Sequence, residues 1–335
     1  MKEKESNDTK KEEPFLNEAK NEQNLDNNIL SKEKERKVLS ICLGIAIIIL
    51  IIGGILSYRA AHQNIKKINK DINSNILILK YYNNILKEYK LFDTSHNNIS
   101  NYIKSIKIDE KIVNYVEKFN FSDTGEHTVE INLNKNISSL YMFFKNCDSL
   151  ISVDFSYFNS ENINNLGELF SGCSSLSSIN FTNFNTSKVY NMSYMFSNCN
   201  KLTSIDLDMF DTFKTLDMSG MFYNNNKLEN LNLSNFDTTQ VTNMNNMFYN
   251  CESLNYLNLK NFDTKKVNNM SSLFYNCKSL SYLDISNFYY NSSNGYNNMF
   301  NNIGKKGIVI YRSNKFLLPN EEFELWTKRD LAYID

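Results

Sequence analysis

The sequence predicts an α/β repeat fold, in which short parallel strands alternate with short helical turns in a solenoid, preceded by one transmembrane helix and a helical stalk. Three observations predict it. Cysteines recur every 26 residues in the C-terminal two thirds of the chain. Twenty uncharged residues, 38–57, form one apolar run, and the residues after that run show apolar side chains at a three-four spacing.

The composition restricts the function. The 335 residues include only 10 glycines, 2 prolines, 3 histidines and 1 tryptophan, and the formal net charge is -1. Few glycines are therefore present for phosphate-binding loops, and few histidines for histidine-centred catalysis. The charge is also not the strongly basic one of a nucleic-acid binder. We expect no enzyme activity, no cofactor and no nucleic-acid partner.

The first two segments are predicted to be a disordered cytoplasmic tail, 1–37, and a transmembrane helix, 38–57. The tail alternates Lys and Glu with few large apolar residues, so it cannot bury enough surface to offset its ordering entropy. A helix over 38–57 would be about 30 Å long, which matches the hydrocarbon thickness of a bilayer. Basic residues crowd the N-terminal flank, including Arg36 and Lys37, and predict a cytoplasmic N-terminus with the repeats on the cell surface.

Residues 58–120 are predicted to be a helical juxtamembrane stalk. The apolar residues at the three-four spacing are Ile65, Ile68, Ile72, Leu79, Tyr82, Leu86 and Tyr89. The pattern suits a short coiled coil that oligomerises the chain, with Asn75 fixing the register. It also suits a single helix that leans on the next domain, or a plain spacer.

Residues 121–312 are predicted to hold units of 26 residues. The cysteines are Cys147, Cys173, Cys199, Cys251 and Cys277, and Asn225 stands in the one vacant slot. We count positions in each of the six units from this slot as position 0. Leu recurs at position 3, aliphatic residues at 6, apolar residues at 8 and Phe at 11 and 23.

These positions predict the structure of one unit. Positions 6 and 8 alternate with polar positions 5, 7 and 9, as in a short strand with one buried face. Asn or Asp at position 18, as in Asn191 and Asn243, is predicted to cap a short helical turn that carries buried Met and Phe. Stacking of neighbouring units then builds one continuous core.

The ends of the array are predicted to be closed. Residues 127–144 look like an opening partial unit that begins with a strand, and 307–311 like a closing strand. Residues 313–335 are predicted to be a C-terminal capping segment with a helix that begins after Asn320, because an uncapped array would expose its core.

The pattern L-x-x-L-x-L-x-x-F-D-T, followed by V-x-N-M-x-x-M-F-x-N-C, resembles the BspA-like leucine-rich-repeat surface proteins, in the mycoplasma-type lipoprotein repeat variant (DUF285-like). The stretches 234–238, 241–244 and 247–251 are close to a consensus unit. The resemblance covers roughly 127–312. It implies a leucine-rich-repeat solenoid that acts in adhesion and in contacts with host proteins or other cells, with no fixed active-site residues. The third unit departs from the pattern at Thr215, Leu216 and Asn225, so we expect local loosening there.

The cysteines are predicted to form a reduced, buried ladder. Their number is odd and they share one phase of the repeat, which argues against disulfides. The column at position 7 alternates Asp with Asn, which favours solvated strand residues over a calcium site. No zinc or other metal site is predicted.

The best binding candidate is the solvent face of the strands. Position 5 changes along the array from Ser to Asn230, Tyr256 and Tyr282, and Lys260 follows at position 9. Exposed tyrosines can anchor a partner, although chance surface aromatics are as probable in a Tyr-rich chain. The leading hypothesis is a non-catalytic, membrane-anchored surface protein that recognises a protein partner on another cell, host or matrix. The alternative is a structural surface protein that forms homo-oligomers through the stalk or the strand face.

Overall fold

The computed structural model describes residues 75–93, 99–289, 295–304, 309–312 and 332–334, and these residues form strands and turns rather than helices. Within these ranges the helical element is a single 3-10 turn, Ile99–Tyr102. All of them belong to one unit, Asn73–Asp335. The predicted α/β leucine-rich-repeat fold with helical turns is therefore wrong, and the described part of the chain is mostly β with mixed sheets.

The membrane prediction needs a correction as well. In the part of the chain that the structure describes, no helix has the length and apolar character to cross a bilayer. The predicted transmembrane helix, 38–57, and the tail, 1–37, lie outside the described residues, as does the capping helix expected after Asn320. The predicted single-pass membrane anchor is therefore not supported.

The predicted helical stalk is wrong, because the described residues from 75 to 120 form strands and a short 3-10 turn. The first six strands are β1 (Ile76–Asn83), β2 (Glu88–Lys90), β3 (Ile103–Ile108), β4 (Lys111–Val113), β5 (Lys118–Asn120) and β6 (Gly125–Leu133). In β1, Leu77, Leu79 and Tyr81 are fully buried, so the side chains alternate with the period of a strand. The coiled coil is excluded with the helix, and Asn75 instead donates to the carbonyl oxygen of Asn134 at 2.9 Å.

The remaining strands come from the repeats and the C-terminal end. They are β7 (Leu150–Asp154), β8 (Ser178–Asn180), β9 (Ser204–Ile205), β10 (Asn230–Leu231), β11 (Tyr256–Asn258), β12 (Tyr282–Ile285), β13 (Val309–Arg312) and β14 (Ala332–Ile334). The predicted opening strand, part of 127–144, is confirmed by β6, and the closing strand, 307–311, by β13 at its described residues.

Four sheets result from these strands. The largest has the order β4-β3-β6-β1-β7-β8, in which β1 pairs antiparallel with both β6 and β7 while β7 and β8 are parallel. The strands β9 and β10 form a parallel pair, β11 to β14 form a parallel four-stranded sheet, and β2 pairs with β5. The strand face of the repeats is thus divided between separate sheets.

The segment between positions 18 and 25 forms tight turns instead of the predicted helical turn. Its N–H groups donate at every second residue to the next unit, as from Met244 to Asn269 at 2.9 Å and from Phe248 to Leu273 at 3.0 Å. Residues at position 25 take φ between 56° and 80°, and those at position 21 take φ between 53° and 60°. A right-handed helix cannot contain a left-handed residue at every fourth position, so these turns replace it.

The side chains at position 18 also act differently from the prediction. In Asn191 and Asn243, Oδ1 accepts a hydrogen bond from the N–H two residues later, at 2.9 and 3.3 Å. This bond forms an Asx turn rather than a helix cap. The residues at position 18 also pair with one another in parallel from unit to unit, which connects the units where the strands do not.

The core lies between the strands and these turns. The residues at positions 3 and 11 are buried in all six units, which confirms the predicted inward face. The rings at position 23 stack along the array with centroids 5.5 to 5.9 Å apart; they are Phe144, Phe170, Phe196, Phe222, Phe248, Phe274 and Phe300. Truncation of any one of these rings would leave a cavity in the row and lower the free energy of unfolding.

Candidate strand-face groove

The four residues predicted to bind a partner lie at one place on the strand face. Tyr256 and Tyr282 are cross-strand neighbours in the parallel pair β11 and β12, and their rings stack with centroids 4.4 Å apart and an interplanar angle of 9°. Tyr256 remains 51 % exposed. Asn230 begins β10, in the preceding unit, and Lys260 follows the end of β11.

A groove separates β10 from β11, because these two strands belong to different sheets. Its volume is about 350 Å³. The lining residues are Asn230, Leu231, Asn232, Leu233, Ser234, Tyr256, Asn258, Lys260 and Asn261. Three of the four predicted residues line this groove, and the fourth, Tyr282, supports the ring of Tyr256 from the side of the next unit. No sequence signal identified the groove, since it arises from an interruption in strand pairing.

Asparagine side chains fix the backbone around the groove. The Oδ1 atoms of Asn232 and Asn258 each accept the N–H two residues later, at 3.1 Å in both cases. Asn261 Nδ2 donates to the carbonyl oxygens of Leu233 and Phe236, at 2.9 and 2.7 Å. On the sides that face the groove, side chains take the place of strand pairing, which gives the groove a preformed shape.

The acidic column at position 7 does not converge on a point. The carboxylate of Asp154 accepts the amide of Asn180 at 2.9 Å, so an amide lies where a second carboxylate would be needed for a cation. In the ranges that the structure describes, no three His, Cys, Asp or Glu residues are arranged to hold a metal ion.

The cysteine ladder is free of disulfides and buried at all five described positions, which confirms the prediction. The Sγ atoms of Cys173 and Cys251 donate to the carbonyl oxygens of Phe144 and Phe222, at 2.9 and 3.2 Å. Burial raises the pKa of the Cys251 thiol to about 12, and it raises the pKa of the other four thiols as well. These thiols are therefore packing groups and not nucleophiles.

A second polar cluster, which sequence reasoning missed, surrounds His127 in β6. His127 is 4 % exposed and stacks on Phe121, with ring centroids 4.0 Å apart. Its Nδ1 lies 2.8 Å from the Asp109 carboxylate, and its Nε2 lies 3.1 Å from Asn83 Oδ1. Asp109 occupies the tight turn between β3 and β4 with a φ of 47°.

Two opposing influences act on the carboxyl of Asp109. Partial burial tends to raise its pKa, while hydrogen bonds from the Thr128 N–H and from His127, together with the charge of His127, lower it. The net result is a pKa below the ordinary aspartate value. Both ring nitrogens of His127 have partners inside the fold, so this cluster fastens the hairpin of β3 and β4 to β6 rather than presenting a reactive group.

Comparison with known proteins identifies a family. The model of the family described as "Mycoplasma protein of unknown function, DUF285" matches residues 113–207, 136–231 and 202–307 in three overlapping segments. No curated protein and no solved structure matches the chain.

Proposed function

The chain belongs to the family of Mycoplasma proteins of unknown function, DUF285. From the surface of the chain itself, we propose that it is a non-catalytic protein that recognises another protein through the strand-face groove. The finer relationship, to the BspA-like repeat proteins, is part of this proposal. It is supported by the repeated L-x-x-L-x-L-x-x-F-D-T pattern.

The observation that carries the proposal is the exposed ring of Tyr256 beside the groove. Tyr256 is held by the stacked ring of Tyr282, so its orientation is fixed before a partner arrives. A fixed aromatic ring supplies contact area at a small cost in conformational entropy, and such rings dominate the binding energy of many interfaces.

The chemistry of the groove favours recognition over catalysis. Among the described residues that line it, Lys260 is the only one that is charged at neutral pH, and the rest are Asn, Ser, Leu and Tyr. General acid–base catalysis needs a pair of titratable groups in reach of one substrate. The groove instead offers the exposed ring of Tyr256 and the ammonium group of Lys260 to an extended segment. The partner segment that fits would place an apolar side chain over Tyr256 and a carboxylate near Lys260.

The experiment is a selection of displayed peptides on the full chain, followed by affinity measurements on single variants. Tyr256→Asn is the test variant, because Asn230 occupies the same position of the preceding unit and the fold accepts it there. Tyr82→Thr is the matched control, since Tyr82 is an exposed strand tyrosine far from the groove in sequence, 55 % exposed. We expect Tyr256→Asn to weaken binding by more than about tenfold. Unchanged binding in Tyr256→Asn, or equal loss in both variants, would reject the groove as the recognition site.

A further inference from the structure

The strands of the six units pair two by two. β7 pairs with β8, β9 with β10 and β11 with β12. Two bonds just outside β7 and β8 extend the first pair: the N–H of Ser177 donates to the carbonyl oxygen of Ile151 at 2.9 Å, and the N–H of Phe155 donates to that of Asn180 at 2.9 Å. Between the second and third units, and between the fourth and fifth, neither bond is found among the residues that the structure describes.

The opposite side of the array, at positions 18 to 25, is continuous where the second unit meets the third. The N–H of Met192 donates to the carbonyl oxygen of Asp217 at 2.9 Å, and the N–H of Phe196 donates to that of Met221 at 3.0 Å. Asn191 and Asp217 also pair in parallel. The second and third units are therefore fastened firmly on the turn side and not on the strand side.

An asparagine at position 10 joins units where strand pairing is missing. Between the fourth and fifth units, Asn261 Nδ2 donates to the carbonyl oxygens of Leu233 and Phe236, at 2.9 and 2.7 Å. The third unit has Met209 at this position, and a methionine side chain has no hydrogen to donate. Among the contacts between the six described units, the contact of the second with the third alone has neither strand pairing nor this amide.

The side chains at this contact are also less well packed. Ile179 and Ile205, at position 6 of the second and third units, are only partly buried. The residues at position 6 of the other four units are buried; they are Val153, Leu231, Leu257 and Leu283. The Oδ1 atom of Asn200, at position 1 of the third unit, is buried and has no hydrogen-bond partner among the described residues. Such an atom costs free energy, which any opening that admits water would relieve.

We propose that the contact between the second and third units is a hinge, whose axis lies on the turn side and whose strand side opens and closes. The N-terminal sheet moves with the first two units, because β1 pairs with both β6 and β7 and β7 pairs with β8. The third to sixth units move as the other body and carry the strand-face groove. A few weakly joined residues at the edge of packed bodies are the usual basis of such motion.

The hinge changes the orientation of the groove relative to the N-terminal sheet. Recognition of a partner in the groove does not require this motion, because the groove lies wholly within the second body. The two proposals can therefore fail independently of each other.

The first test measures the distance between two spin labels in the full chain by double electron–electron resonance. The labels are placed on Ile112→Cys with Ser178→Cys, inside one body, or on Ile112→Cys with Asn230→Cys, across the hinge; all three sites are exposed. Cys42→Ser removes the cysteine outside the buried ladder. We expect a distance distribution at least about twofold wider for the pair across the hinge.

The second test closes the hinge with an amide. Met209→Asn places a donor where Asn235 and Asn261 have one, so it should narrow the distribution across the hinge to the width of the pair inside one body. Met209→Leu is the matched control, because it adds no donor and should leave the distribution wide. Urea melts of both variants show that each is folded.

The third test is reciprocal and opens a hinge elsewhere. In the Met209→Asn background, Asn261→Met removes the amide between the fourth and fifth units, where strand pairing is also missing. It should widen the distribution between labels on Ile112→Cys and the exposed site Ser281→Cys, and leave the pair with Asn230→Cys narrow. A narrow distribution across the hinge in the natural chain, no narrowing by Met209→Asn, or no widening by Asn261→Met would each overturn the proposal.

Discussion

Asn225 donates its Nδ2 hydrogen to the carbonyl oxygen of Phe196 over 2.9 Å, which is the contact that a cysteine Sγ makes in four other units. Its Oδ1 accepts the N–H of Cys199 at 2.9 Å. Thr215, ten residues before Asn225, is also buried and donates to the carbonyl oxygen of Val189 at 3.2 Å. The loosening expected at these two polar residues is therefore offset, because both are hydrogen-bonded inside the core.

Replacement of Asn225 tests this substitution of one donor for another. Asn225→Ala should lower the free energy of unfolding by about 2 to 4 kcal/mol, because it leaves the Cys199 N–H without its acceptor and creates a cavity. Asn225→Cys should change it by less than about 1 kcal/mol, because the cysteine fills the slot and restores the bond to the Phe196 carbonyl oxygen. The Cys199 N–H, which loses Asn225 Oδ1, can then donate to the same carbonyl oxygen, as the Cys173 N–H does to that of Phe170. Both variants are measured by urea denaturation. If Asn225→Cys loses as much stability as Asn225→Ala, then cysteine and asparagine are not equivalent in this slot.

The thiols of the ladder should be unreactive until the chain unfolds. Burial raises the pKa of each of the five described cysteines, and only the thiolate reacts with alkylating reagents. Iodoacetamide at pH 8, followed by peptide mass spectrometry, should modify Cys147, Cys173, Cys199, Cys251 and Cys277 only in denaturant. Reducing agent should leave the melting temperature unchanged. Rapid labelling of any of them in the native state would mean that the ladder is open to solvent.

The inward face of the repeats could be predicted from the sequence, whereas the local conformation could not. Burial of Leu254 and Phe262 follows from the period alone, because every unit needs the same residues inside. The helical turn is predicted from Asn or Asp at position 18, as a cap for the buried Met and Phe that follow. It fails at residues such as Asn246 and Asn250, which are left-handed with φ of 58° and 57°. Asparagine is the residue that most readily adopts this conformation after glycine, so its recurrence before the cysteine slot was a usable signal.

The helical stalk fails for a different physical reason. The three-four spacing of Leu79, Tyr82 and Leu86 describes a helix only if all three share a buried face, yet Tyr82 and Leu86 are 55 % and 65 % exposed. The run Ile76–Asn83 is rich in Ile, Leu and Tyr and can pair on both sides, with β6 and β7. This segment forms a strand because it pairs with residues more than 40 positions later in the sequence, and a local pattern of apolar residues does not reveal such pairing.

The pH dependence of stability should reveal the Asp109 contact. A carboxyl whose pKa is lowered by folding stabilises the native state above its unfolded value, 3.8, and this contribution is lost as the pH falls through the folded value. Asp109→Asn should therefore be less stable than the natural chain at pH 7, and the difference should shrink as the pH falls below about 3.8. Urea melts of both proteins at pH 7, 5 and 3 make the comparison. A difference that grows toward acid pH would contradict the assigned contact.

The sequence predicts that the four binding residues lie close together, because they share the strand face. It does not predict the groove beside them. Tyr256 and Tyr282 share position 5, and residues one unit apart are neighbours in any stack of this period. The groove depends on β10 and β11 belonging to separate sheets, which is a feature of unit-to-unit geometry. Asparagine also stands at the wall positions of units without this groove, as at Asn180 and Asn183, so asparagine alone does not mark the gap.

The central claim is that the repeats bury one face and leave the strand face at Tyr256 open for a partner. The most direct test compares urea melts of Phe248→Ala and Tyr256→Asn. Phe248 is fully buried between Phe222 and Phe274, so its truncation should cost about 3 to 5 kcal/mol, while Tyr256→Asn should stay within about 0.5 kcal/mol of the natural chain. Equal destabilisation, or a larger loss at Tyr256, would mean that the inward and outward faces are assigned the wrong way round.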